Sequence, residues 1–189
     1  MTAKDMISIM FNLTVLYLIG GLILAGVYAK TSPIMYQNEL KEKQEALKEV
    51  MPRADEMIKL GEWAPHHKHA EYFEGVKGAE KLGYVVQGFG KGYSSYINLF
   101  VAVDKDFVVR NVKILHHAET PGLGDEIMNE SFTDQFKGKT LDHLVVVKRE
   151  TDKDIQAITG ATISSRAVTE GVREGVRMIM EKMSGEVKE

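Results

Sequence analysis

The sequence predicts an α+β domain, a mostly antiparallel sheet with packed helices, preceded by one N-terminal transmembrane helix. Three observations predict it. Met6 to Tyr28 carries no charged residue. Residues 84–115 hold successive runs rich in β-branched and aromatic residues, which suit a pleated, half-buried surface. Val168, Val172, Val176, Ile179 and Met183 recur at steps of four, four, three and four, the spacing of one helical face.

Composition narrows the class further. A chain of 189 residues suggests one folded domain plus extras. A net charge of −3 gives no reason to expect nucleic acid, whose phosphates call for a basic patch. With no cysteine, disulfides, thiolate metal sites and iron–sulfur ligation by this chain are excluded. Four prolines and no low-complexity run argue for order.

The elements follow in order. The apolar run from Met6 to Tyr28 would be a helix of about 34 Å, enough to cross a hydrocarbon core of about 30 Å. Val27-Tyr28-Ala29 could pass for a cleavage site, but the run is too long for a signal sequence, so an uncleaved anchor is expected. Set in membrane lipid with no interior charge, it cannot move an ion alone. Flanking charges are mixed on both sides (Lys4 with Asp5; Lys30, Lys41 and Lys43 with Glu39 and Glu42) and do not set orientation. Pro33 follows the membrane segment. Residues 34–51 read as a second helix, closed by Pro52, and a short helix follows around Ala54 to Leu60. This divides the chain into an anchor at 1–30, a helical stalk at 31–61 and a domain at 62–189.

Strands are expected at Glu71–Val76, Tyr84–Phe89, Ile97–Val103 and Phe107–Leu115, with a hairpin turn at Val103–Phe107. A short helix at 129–137 and a strand at Val145–Lys148 come next, and a long helix runs from Thr162 to Met183.

The chemistry concentrates where that last helix begins. Thr159-Gly160-Ala161-Thr162-Ile163-Ser164-Ser165 places hydroxyls, a glycine and a methyl group at a helix start. The first helical amides lack internal partners and carry the positive end of the dipole, so a phosphate is stabilised there. The Thr162 hydroxyl could be esterified to such a phosphate and still lie over those amides. The simpler reading is a capped helix with Thr159 as N-cap. In the loop Glu119-Thr120-Pro121-Gly122-Leu123-Gly124, Pro-Gly fits the centre of a type II turn, in which Gly122 takes a positive φ. Such a loop lets backbone approach a flat ring; the simpler reading is a strand-to-helix connection. Gly92-Tyr93-Ser94-Ser95 is either a surface turn or a place where Tyr93 stacks near a ligand. His66, His67 and His69 are read as a solvated loop rather than a metal site. No nucleophile–base pair suggests a catalytic residue, and no Gly-x-Gly-x-x-Gly fingerprint is present.

Thr159 to Ser165 resembles the flavinylation motif of the FMN-binding domain family, and His117-Ala118-Glu119-Thr120-Pro121-Gly122-Leu123-Gly124 resembles that family's other signature. Behind a single anchor, the pair is similar to the G subunits of Rnf electron-transport complexes. The resemblance implies FMN joined by a phosphoester to Thr162, with Thr159, Gly160, Ala161, Ser164, Ser165, Glu119, Thr120, Gly122, Leu123 and Gly124 as cofactor-binding residues. It implies a flavin transferase during maturation, and the other membrane and peripheral subunits of an Rnf-type complex as partners. It also implies an extracytoplasmic domain on a single-pass anchor in the cytoplasmic membrane. In this light the chain is an electron carrier within an ion-translocating ferredoxin:NAD oxidoreductase. The family carries Asp three residues before its first motif hydroxyl; here Gln156 stands there, and the nearest acid is Asp154. Alternatives are the C subunit of a sodium-translocating NADH:quinone reductase, a flavin-free tethered scaffold, and a sensor that binds an anion at the helix start.

Overall fold

The structure, a computed structural model, describes residues 3–185. It divides into two compact units, at Lys43/Gln44. The first helix, α1, is continuous over Ala3–Val50. Up to Lys43 its large apolar side chains are exposed, and by length and composition it can cross a bilayer. The sequence suggests a break at Pro33, but Pro33 lies inside α1. Proline removes one donor and strains one turn, and spanning helices tolerate this where the freed backbone group is satisfied locally.

The second unit is built on five antiparallel strands in sequential order: β1 Glu56–Trp63, β2 Ala70–Lys77, β3 Glu80–Lys91, β4 Tyr96–Asp104 and β5 Val109–His116. β1 occupies the place of the short helix expected at Ala54–Leu60, so that helix is absent and the expected boundary at 61/62 falls inside a strand. Glu-Met-Ile-Lys-Leu carries helix formers, but seven cross-strand pairs with β2 override that local preference. The other four strands stand where expected, with shifted ends. The β4–β5 hairpin turns through Asp104, whose carboxylate accepts the amides of Asp106 and Val108 at 3.0 and 2.9 Å.

Beyond β5 the chain runs through short helical turns, including α2 at Glu130–Thr133, and a small parallel pair, β6 Val146–Val147 with β7 Ile155–Gln156. α3 spans Thr162–Met183, as the periodicity predicts. Its stripe Val168, Val172, Val176 and Ile179 is fully buried against Val86, Leu99 and Val101. The approach is unusually close at β3. A Cβ on Gly88 would stand 2.6 Å from the Gly171 carbonyl oxygen, and one on Gly90 would overlap that of Ala167. The opposite face of the sheet is covered by the last turns of α1. Ala46, Leu47, Val50 and Met51 pack there with Phe73, Val85, Phe100 and Ala102.

Candidate functional site

The two sequence motifs meet at the start of α3, through the Ser164–Glu119 hydrogen bond and the Leu123–Gly160 approach. The N-cap of α3 is Ala161, not Thr159, and no side chain caps it. The expected cap is displaced because Gly160 turns left-handed, at φ +84°, between Thr159 and the helix. That conformation favours glycine. The first amides of α3 are therefore left without a side-chain acceptor. Thr162 is the first helical residue and is half-buried. Thr159 and Gly160 are both exposed, and Ala161 is buried.

The two serines of the motif face inward. Ser165 is fully buried; its hydroxyl accepts the Ile158 amide at 3.0 Å and donates to the Ala161 carbonyl at 2.9 Å. It thereby ties the 158–161 loop to the first helical turn. Ser164, also buried, donates to the Glu119 carboxylate, 45 residues away.

The loop 119–124 makes the predicted turn. The Leu123 and Gly124 amides bond the Thr120 carbonyl at 3.3 and 2.9 Å, and Gly122 has φ +71°, as the third residue of a type II turn requires. Leu123 then lies over Gly160: a Cβ there would be 2.8 Å from its Cδ1. Leu123 and Ile163 are both substantially exposed, so the helix start carries an apolar surface beside Thr162. Thr120 and Gly122 are exposed, whereas Gly124 is buried.

Glu119 is 5% exposed, a rare setting for an acid, and its carboxylate is bonded from within the fold. Oε2 accepts the Tyr93 amide at 3.1 Å and the Ser164 hydroxyl; Oε1 accepts the Ser94 amide at 3.1 Å. Burial pushes its pKa up. The Ser164 hydroxyl and the amides of Ser94, Tyr93 and Ser95 outweigh that and hold it below the usual carboxylate range. The 92–95 turn, itself closed by Gly92 N–H to the Ser95 carbonyl at 2.9 Å, is thus part of the site's frame. The sequence gives no local sign of this, since the partners lie 25 and 26 residues apart.

Other candidates fall elsewhere. His66 pairs with Glu174 at 3.3 Å and His69 with Glu62 at 2.7 Å. Among the described residues no group of three or more His, Cys, Asp or Glu is arranged to hold a metal. Gln156 lies on β7, and its amide bonds Gln135 Oε1 at 2.7 Å. Asp154 faces His143 at 3.4 Å.

This geometry, with an uncapped helix start carrying a hydroxyl beside an apolar patch and a Pro-Gly loop, coincides with a known class. Residues 92–177 match the FMN-binding domain family. Over 177 residues the chain is 38% identical to the G subunit of the proton-translocating ferredoxin:NAD(+) oxidoreductase complex of Clostridium ljungdahlii, covering 93% of this chain and 92% of that one. The G subunit of an ion-translocating oxidoreductase complex from Methanosarcina acetivorans is 27% identical over 92% of this chain and 94% of its own. The crystal structure of Shewanella oneidensis NqrC superposes with a TM-score of 0.53 at 25% identity, over 72% of this chain and 74% of that one. The chain belongs to the family formed by the G subunits of ion-translocating ferredoxin:NAD(+) oxidoreductase complexes.

Proposed function

We propose that this protein is the flavoprotein electron carrier of an Rnf-type complex, with FMN held by a phosphoester to Thr162. The observation that carries this reading is the start of α3. The Thr162 hydroxyl stands at the first helical position, the amides around it have no side-chain cap, and Leu123 and Ile163 offer apolar surface beside it. Those features fit the group: the amides and the helix dipole would hold the phosphate, and the exposed side chains would support a flat ring. Bound FMN accepts one or two electrons, which joins one-electron centres to two-electron donors. The chain's own part is to orient that group, with Gly160 and Gly122 keeping side chains out of the way.

A flavin transferase would install the FMN, and the other subunits of the complex would exchange electrons with it. The relationship to NqrC extends to the fold, whereas the match to a G subunit runs nearly the full length of both chains. That favours the ferredoxin:NAD complex over the quinone reductase. The test is in-gel fluorescence of the denatured full-length protein made together with a flavin transferase, followed by peptide mass spectrometry. Covalent flavin survives denaturation. A dark band would sink the covalent attachment, and a native protein that also holds no flavin would leave a scaffold or an anion sensor.

The apolar segment of α1 anchors the protein by a single pass, and the second unit lies outside the cytoplasm. The resemblance to the G subunits supports this orientation; the flanking charges are mixed and do not decide it. C-terminal fusions to an enzyme active only after export are expected to work, and fusions to one active only in the cytoplasm to fail. The reverse pattern would place the domain inside.

A further inference from the structure

We propose that Glu119 is the positioning residue of the flavin site: it does not touch the flavin, and its buried carboxylate sets where Thr162 presents its hydroxyl. The inference rests on the reading that Thr162 carries FMN. Three segments converge on this one side chain. The 92–95 turn gives the Tyr93 and Ser94 amides, α3 gives the Ser164 hydroxyl, and the 119–124 loop gives Glu119 itself. Ser164 is two residues beyond Thr162, on the same helical turn, so a pull on one acts on the other.

Space has been made for the carboxylate on both sides. A Cβ on Gly92 would be 2.5 Å from Glu119 Oε1. One on Gly124 would be 2.8 Å from Glu119 Cβ and 3.0 Å from Ser164 Oγ. Neither position leaves room for a side chain. The bonds are charge-assisted, because the depressed pKa keeps the carboxylate ionised at neutral pH. The Tyr93 and Ser94 amides and the Ser164 hydroxyl would be stranded if it were lost, and a buried donor without a partner forces local rearrangement. The rearrangement would fall on the two loops that frame the helix start.

The test uses the full-length protein and a purified flavin transferase, with the initial rate of covalent flavin incorporation as the readout. Glu119→Gln keeps the size but turns an amide NH2 toward N–H donors. Ser164→Ala removes one donor. The control is Val85→Ala, a buried change on the opposite face of the sheet, with thermal midpoints recorded for all. We expect Glu119→Gln to slow incorporation roughly tenfold, the scale of one lost charge-assisted bond. Ser164→Ala should slow it less, and the double variant no more than Glu119→Gln, since both remove the same bond. Val85→Ala should be modified at the wild-type rate even where its midpoint falls as far. Equal rates for Glu119→Gln and Val85→Ala would overturn the positioning role and leave the Thr162 assignment standing. A wild-type protein that takes up no flavin would remove the assignment, and the positioning role with it.

Discussion

Thr162→Ala is expected to abolish covalent flavin: no fluorescent band after denaturation, and no flavin mass on the peptide that spans residue 162. The argument is positional. Thr162 is the first residue of α3, and its side chain is half-buried at the edge of the exposed apolar patch. The neighbouring hydroxyls are committed differently. Ser164 is bound to Glu119 and Ser165 to the Ile158–Ala161 loop. Thr159 lies beyond Gly160, whose left-handed turn carries it away from the helix. Thr159→Ala should therefore keep the flavin, and Thr162→Ser should keep a fraction, since the hydroxyl remains. Loss of a hydroxyl and a methyl at a half-buried site should cost less than about 1 kcal/mol, so the thermal midpoint of Thr162→Ala should stay near that of the wild type. Flavin retained in Thr162→Ala, on any residue, would refute the assignment.

The second large effect is on stability. Gly90→Ala adds a Cβ where the Ala167 carbonyl oxygen stands, with the carbonyl carbon close behind. These are backbone atoms of α3, so no rotamer change relieves the overlap. The helix would have to lift from β3, and with it the contacts of Val168, Val172 and Val176. Overpacking in rigid cores costs about 1–3 kcal/mol and sometimes more. With backbone on both sides we expect about 3 kcal/mol or more, a fall in thermal midpoint of roughly 10 °C. Thermal unfolding followed by circular dichroism measures it. A midpoint unchanged within a degree or two would mean that α3 rides more loosely on the sheet than described.

Much of this was legible in the chain. α3 could be delimited because its apolar stripe has a strict helical period and its start coincides with Thr162. β3, β4 and β5 could be read because Val, Ile, Tyr and Phe cluster in them. β1 was not legible: Glu-Met-Ile-Lys-Leu has no strand signature, and only pairing with β2 makes it one. β7 is two residues long and pairs in parallel with β6, so no local pattern marks it. In the site, the Pro-Gly turn and the left-handed Gly122 followed from residue chemistry alone. The cap did not, because a hydroxyl before a helix looks the same whether or not a glycine bends the chain between them. Nor did the inward turn of Glu119, which depends on amides that arrive from a distant strand end.

α1 enters the second unit as more than a tether. Leu47 and Val50, on its last turns, seal the face that holds Phe73 and Phe100. A load applied to the chain at Gln44 would therefore pull first on these buried contacts. Peeling them away would wet two aromatic rings that meet edge to face, with centroids 6.2 Å apart. Proteolytic release of the domain faces the same condition: a cut after Pro52 would leave that face of the sheet bare, whereas a cut before Gln44 would carry its cover along.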